Sequence, residues 1–136
     1  MKRTLFALAL TLALPALAGN APLFTRYEAV RQGFLKTSLK DVQANAKALA
    51  ADARKAKQEE LAKQADAVAK SADIEKARVA FATLSDSMIE LQAKTEGARP
   101  AVYSCPMVRK SWLQPKGQVG NPYDSAMVMC GALKRE

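Results

Sequence analysis

The residues whose chemistry stands out in this sequence carry sulfur and lie close to the C-terminus. Cys105 and Met107 are two positions apart, and Met127 and Cys130 are three positions apart. The chain of 136 residues contains no histidine, so it lacks both the commonest metal ligand and the commonest general base. Thiolate and thioether sulfurs suit soft ions, above all Cu(I), whereas zinc prefers thiolate, imidazole or carboxylate. These four residues are therefore the candidate ligands of a Cu(I) site.

The two cysteines also have an interpretation that requires no metal. In an oxidising compartment, Cys105 and Cys130 would pair as a disulfide. Closing the loop between them would stabilise the fold by roughly 3.5 kcal/mol in the chain-entropy description, and the methionines would then be adaptable core filler. The two states do not exclude each other, because reduction would free thiolates that could bind metal. Spacing alone leaves both interpretations open.

The N-terminal residues 1–18 have the pattern of a secretory signal peptide. Lys2 and Arg3 are followed by an apolar run over residues 5–18, and Ala16 and Ala18 are small residues suited to a cleavage site. The run is shorter than the roughly 20 apolar residues that a transmembrane helix needs. We therefore expect cleavage after about Ala18, a periplasmic or secreted mature protein, and no membrane span after cleavage.

Residues 19–100 are rich in alanine, lysine and glutamine, and their apolar positions follow helical spacing. Because each predicted helix has one apolar face, each must bury it against another helix. The apolar stripes run through Leu23, Tyr27, Val30 and Phe34, then from Leu39 to Ala56, then through Leu61, Ala65 and Val68, and finally from Ile74 to Leu91.

Breaks between these stripes set the number of helices. A capping pattern near Thr37–Ser38 ends the first helix, and Ser71–Asp73 offers a second cap. The stripe changes phase at Ala56–Gln58, which indicates either a turn between two helices or one long bent helix. Gly97 and Pro100 end the last helix.

Residues 101–136 differ from the helical part. They contain three prolines, three glycines, the only tryptophan and both cysteines, and Val102, Val119 and Val128 lie in runs typical of brief strands or extended segments. The predicted fold is mainly α: a three- to four-helix antiparallel bundle over residues 19–100, on which a small, irregular or short-stranded Cys/Met unit over residues 101–136 packs to complete one structural domain.

The C-terminal motifs resemble a bacterial domain family of unknown function, numbered 3347. The resemblance is carried by Cys-Pro-Met at 105–107, Asn-Pro-Tyr at 121–123 and Met-x-x-Cys-Gly at 127–131, and the helical segment 81–89 is similar to the family's helical half. Members occur among exported proteins and in periplasmic adaptors of copper and heavy-metal efflux systems. The resemblance implies that Cys105, Met107, Met127 and Cys130 are the metal-binding residues and that Asn121, Pro122 and Tyr123 shape the supporting turn.

These observations predict an exported protein that binds a soft metal, Cu(I) above all, and sequesters it or delivers it to an efflux system or acceptor protein. The alternative is a disulfide-stabilised helical structural or protein-interaction module without metal. We expect no enzymatic activity, because Ser111 and Ser125 lack a base and no glycine-rich phosphate loop is present. Lysines and carboxylates alternate along the helices, which indicates a solvated face and no nucleic-acid partner.

Overall fold

The computed structural model describes residues 19–136, so the predicted signal peptide over residues 1–18 lies outside the described residues. Helices occupy the first part of this range and a small sheet the last part. The elements are α1 Ala21–Leu35, α2 Leu39–Lys55, α3 Glu59–Ala69, α4 Ile74–Ala93, β1 Ala101–Cys105, β2 Lys110–Gln114, a 3₁₀ turn Ser125–Met127 and β3 Ala132–Arg135. A mainly α fold is confirmed.

Two side-chain caps begin helices where the sequence predicts them. The Ser38 hydroxyl accepts a hydrogen bond from the Asp41 amide at the start of α2, and the Asp73 carboxylate accepts one from the Lys76 amide at the start of α4. Each side chain satisfies a backbone amide that the first helical turn leaves without a partner. These caps fix where the chain turns back from one helix into the next.

The phase change at Ala56–Gln58 is a turn between two separate helices. Lys57 has a φ of 59°, a left-handed conformation that ends α2 and reverses the chain before α3 begins. Thr37, with a φ of 52°, does the same between α1 and α2. Consecutive helices pack against each other and form a bundle joined by short turns. The single bent helix is therefore wrong.

Residues 101–136 form a three-stranded antiparallel sheet in the order β2-β1-β3. Val102 lies in β1 as predicted, but Val119 and Val128 do not lie in strands. The second strand instead contains Trp112, and the third strand is Ala132–Arg135. A lone valine between glycines and prolines does not supply the hydrogen-bonded neighbour that makes a strand. Val128, with a φ of −53° and a ψ of −36°, is not extended either, so the prediction was wrong for Val128.

The sheet and the bundle share one core. β2 packs against α4, and one cluster of buried side chains contains Tyr27, Phe81 and Val42 from the helices together with Trp112 and Leu113 from β2. The Tyr27 and Phe81 rings stack with their centroids 4.9 Å apart. Within residues 19–136, no helix is long and apolar enough to cross a membrane.

Candidate metal site

The two cysteines are joined in a disulfide. Cys105 ends the central strand β1 and is fully buried, whereas Cys130 follows the 3₁₀ turn and is partly exposed. Their Cα atoms are 5.4 Å apart, within the range of an ordinary disulfide. Of the two states that the sequence leaves open, the structure contains the bonded one. Neither sulfur offers a thiolate to a metal in this state.

Strand pairing positions Cys105, and a hydrogen-bonded turn positions Cys130. Cys105 is paired with Lys110 of β2, and its neighbour Ser104 is paired with Ala132 of β3. The Cys130 amide donates to the Met127 carbonyl oxygen at 2.9 Å, which closes the turn immediately before β3. Hydrogen bonds that do not involve sulfur therefore hold both cysteine backbones in place.

Three methionines lie close to the bonded cysteines in the sequence. Met107 belongs to the turn between β1 and β2 and is 73% exposed, and Met129 is 62% exposed. Met127 closes the 3₁₀ turn and is partly buried. Each is within three residues of a bonded cysteine in the sequence, so all three belong to the two segments that the disulfide joins. Met88, by contrast, is fully buried in α4.

Met129 is a candidate ligand that the sequence analysis missed. The Gln118 side-chain amide donates to the Met129 sulfur at 3.9 Å, so this thioether has a defined neighbour as well as exposure to solvent. Its position between Met127 and Cys130 was visible in the sequence. The Met-x-x-Cys spacing, however, points only to Met127 and Cys130 as ligands.

The turn at Asn121, Pro122 and Tyr123 connects the two halves of the unit. The Asn121 carboxamide oxygen accepts from the Tyr123 amide at 2.9 Å, and its nitrogen donates to the Met127 carbonyl oxygen at 3.2 Å. The Asn121 amide also donates to the Val128 carbonyl oxygen at 2.8 Å. The Tyr123 hydroxyl donates to the Ser111 carbonyl oxygen at 2.9 Å. Together these bonds tie the methionine-bearing segment to β2.

Two buried arginines from the helices hold this turn. Arg31 of α1 donates to the Gly120 carbonyl oxygen at 2.6 Å, and Arg78 of α4 donates to the Pro122 carbonyl oxygen at 3.2 Å. Each guanidinium also pairs with a carboxylate one helical turn earlier, Glu28 or Glu75. The sequence does not single out this arginine pair, because charged residues on a helix ordinarily lie at the surface.

A buried amide completes the support beneath the turn. The Gln114 side-chain oxygen accepts from the Trp112 indole nitrogen at 2.9 Å and from the Gly120 amide at 3.1 Å. Its side-chain nitrogen donates to the Gln118 carbonyl oxygen at 2.9 Å. Because every bond of this fully buried group is made within the C-terminal unit, Gln114 fixes the path of residues 114–120.

Two buried tyrosines have strongly perturbed hydroxyl groups. The Tyr27 hydroxyl shares a hydrogen bond with the Ser85 hydroxyl at 2.7 Å and accepts one from the Leu113 amide at 3.3 Å. Burial raises the pKa of Tyr27 well above its ordinary value of 10. Burial, and then the neighbouring Tyr27, likewise raise the pKa of Tyr123. Both hydroxyls are neutral hydrogen-bonding groups at physiological pH, so neither supplies a phenolate ligand.

Sulfur is the donor type that the sequence concentrates around Cys105 and Cys130. Across residues 19–136, no group of three or more cysteine, aspartate, glutamate or histidine side chains could hold a metal ion. The carboxylates at Glu59, Glu60, Asp73, Glu75 and Glu90 are all exposed on the helices. A metal bound beside the disulfide would therefore be held through thioethers, joined by thiolates once the disulfide is reduced.

A family model described as a protein of unknown function (DUF3347) matches residues 23–99. The match covers more than half of the chain, and the chain belongs to this family. The matched segment contains most of α1 and all of α2, α3 and α4, whereas the cysteine and methionine motifs follow its end. No curated protein and no solved structure matches the chain.

Proposed function

We propose that this is an exported protein that binds Cu(I) through sulfur at the disulfide end of its C-terminal unit. It would sequester the ion or deliver it to an acceptor by ligand exchange, without catalysis. The observation that carries the proposal is the exposure of Met107 and Met129, which lie within two residues of the bonded Cys105 and Cys130 in the sequence.

The exposure of these methionines is unusual for their residue type. Methionine is ordinarily among the buried residues, and the large apolar side chains exposed within residues 19–136 are only Val79, Met107, Met129 and Leu133. Two of these four are therefore thioethers, and both flank one disulfide. A thioether is neutral and does not need to lose a proton before it binds a soft ion. Exposed thioethers supply donors that an acceptor protein's own ligands could reach.

The disulfide gives the proposed site two ligand sets. In the bonded state, Met107, Met127 and Met129 are the available sulfur donors. Reduction adds the thiolates of Cys105 and Cys130, which bind Cu(I) more strongly than thioethers because they are charged. The backbone hydrogen bonds of β1 and of the 3₁₀ turn do not involve sulfur, so we expect them to persist after reduction.

The rigid surroundings of the turn also support a binding role. Metal and ligand sites need side chains held by rigid elements and by a surrounding set of hydrogen bonds. Arg31, Arg78 and Gln114 supply that support beneath residues 120–123. These bonds hold the backbone of the turn, while Met107 and Met129 remain exposed.

Export and an efflux-related partner belong to the same proposal. A disulfide between the only two cysteines suits an oxidising compartment. The resemblance of the C-terminal motifs to domains of copper and heavy-metal efflux adaptors suggests an efflux system as the acceptor. N-terminal sequencing of the protein recovered from a periplasmic fraction tests export: we expect Gly19 as the first residue, and an intact Met1 in the cytosolic fraction would contradict it.

The decisive experiment is competition for Cu(I) against a chelator of known affinity, under anaerobic conditions, with the disulfide intact and after reduction. We expect stoichiometric binding in both states and tighter binding after reduction. Met107→Leu combined with Met129→Leu should abolish binding by the disulfide-bonded protein. Met127→Leu should weaken binding in both states, and Cys105→Ser should remove the gain on reduction. Met88→Leu, the same change at a buried position, is the matched control and should bind like the parent.

The competing function is a disulfide-stabilised structural or interaction module. The disulfide itself favours this function, since it joins β1 to the segment before β3 without any ion. In the same titration, a module of this kind would take up no Cu(I) in either redox state. That result would overturn the metal-binding proposal and leave the interaction function in its place.

A further inference from the structure

The readily oxidised side chains of this protein are distributed very unevenly between core and surface. Both cysteines are already bonded to each other, and the chain contains no histidine. Trp112 and Met88 are fully buried. Among residues 19–136, Met107 and Met129, at 73% and 62% exposure, are therefore the thioethers that a dissolved oxidant reaches first.

The surroundings of the methionines also rank their reactivity. Met107 lies at the tip of the β1–β2 turn and is the more exposed of the two. The Met129 sulfur accepts a hydrogen bond from the Gln118 amide, which draws on the lone pair that would attack an oxidant. Met127 is partly buried. This arrangement gives the order Met107, Met129, Met127 and finally Met88.

We propose that Met107 and Met129 are sites of reversible sulfoxidation by peroxides, and that their oxidation switches off soft-metal binding. The thioether sulfur attacks one peroxide oxygen, an S–O bond forms while the O–O bond breaks, and the peroxide leaves as water. Sulfur loses two electrons and the peroxide gains them. A dithiol-dependent reductase reverses the step, forming water and a disulfide in the reductant.

The consequence for metal follows from the donor atoms. A sulfoxide is polar, and its oxygen is a hard donor, so it no longer offers the soft sulfur that Cu(I) prefers. The effect on metal rests on the proposed function, whereas the modification itself depends only on exposure and on the Gln118 contact. Separate experiments can therefore overturn the modification of the methionines and its effect on metal binding.

Peptide mapping by mass spectrometry tests the modification. The disulfide-intact mature protein is treated with hydrogen peroxide, and the gain of one oxygen is followed at each methionine over time. We expect Met107 to react first, Met129 next, and Met88 roughly tenfold or more slowly than Met107, because susceptibility follows exposure. Gln118→Ala should accelerate Met129 relative to Met107. Oxidation of Met88 as fast as Met107, or protection of Met107 and Met129, would overturn the proposed sites.

A Cu(I) titration after complete removal of peroxide tests the switch. Protein oxidised at Met107 and Met129 should lose its disulfide-state affinity, and treatment with methionine sulfoxide reductase should restore it. Unchanged affinity after mapped oxidation would overturn the switch while leaving the modification sites in place. Failure of the untreated protein to bind Cu(I) would overturn the proposed function and the switch together. The order of methionine oxidation found by peptide mapping would still test the proposed modification sites.

Discussion

The guanidinium of Arg31 donates a hydrogen bond to the carbonyl oxygen of Gly120 at 2.6 Å, across 89 positions of the chain. The contact is possible because residue 120 is glycine: a Cβ there would lie 2.7 Å from the Arg31 side-chain nitrogen. Arg78 makes the matching contact with the Pro122 carbonyl oxygen. Two buried guanidinium groups, one from α1 and one from α4, thus hold the turn that supports the candidate site.

Replacing Arg31 with alanine should destabilise the fold strongly. The change leaves the Gly120 carbonyl and the Glu28 carboxylate without their buried partner, which ordinarily costs about 3–5 kcal/mol. Arg31→Lys should recover part of the loss, since it keeps the charge without the two-pronged contact to Glu28. Urea unfolding measures the free energy of each variant.

The control for this prediction is the exposed pair between Arg26 and Asp52. The Arg26 side chain is 47% exposed, so Arg26→Ala should cost at most about 1 kcal/mol. Equal losses for Arg26→Ala and Arg31→Ala would mean that the buried contacts with the turn contribute nothing.

Reduction of the disulfide should lower stability without unfolding the protein. The loop that it closes spans a sequence separation of 25, which corresponds to about 3.5 kcal/mol in the chain-entropy description. Urea unfolding with and without reductant measures the difference, and a Cys105→Ser/Cys130→Ser variant should not respond to reductant at all. An unfolded reduced protein would show that Arg31, Arg78 and the strand pairing cannot hold the site alone.

The buried tyrosines predict a loss of stability at alkaline pH. Because burial raises the pKa of Tyr27 and Tyr123, the unfolded chain releases these protons near pH 10 while the folded protein retains them. The free energy of unfolding should therefore fall as pH rises above about 10, by up to about 1.4 kcal/mol per pH unit for each tyrosine. Below that range neither hydroxyl contributes any pH dependence.

Urea midpoints between about pH 8 and pH 11 measure this dependence. Tyr27→Phe removes one titrating hydroxyl and should make the decline shallower, while its lost bond to Ser85 lowers stability at neutral pH. Lysine titration contributes equally to parent and variant, so the difference in slope reports the titration of Tyr27 together with its effect on the pKa of Tyr123. An identical slope in Tyr27→Phe would contradict the assignment.

Gly131→Ala should destabilise the C-terminal unit through overpacking. A Cβ at residue 131 would lie 2.8 Å from both the Trp112 ring and the Val119 side chain, and insertion of this kind costs about 1–3 kcal/mol. Gly19→Ala is the control, because a Cβ there meets nothing within 4 Å. Thermal unfolding compares the two variants, and equal midpoints would contradict the packing against Trp112.

The helices could be predicted because their signals are local. Helical spacing of apolar residues, together with caps such as Ser38 and Asp73, depends only on neighbours in sequence. The strands could not be placed in the same way, since β3 has the sequence Ala-Leu-Lys-Arg and becomes a strand only by pairing with β1. β-structure depends on partners that are distant in sequence.

The support of the candidate site was invisible in the sequence for the same reason. Arg31 and Arg78 have the spacing of solvated helix charges, and only the folded chain shows that their partners are the carbonyl oxygens of residues 120 and 122. Gln114 likewise resembles a polar surface residue. The sulfur-bearing residues could be identified by type, but neither the bonded state of the cysteines nor the exposure of Met129 could be deduced from spacing.

The central claim, that exposed thioethers bind Cu(I), is tested most directly by observing their methyl groups. In disulfide-intact protein labelled with ¹³C at the methionine methyls, an anaerobic Cu(I) titration should shift the Met107, Met127 and Met129 resonances and saturate at a stoichiometric ratio. The Met88 resonance should stay in place, since that side chain is fully buried in α4. Unshifted resonances for Met107 and Met129 at saturating Cu(I) would contradict the proposal.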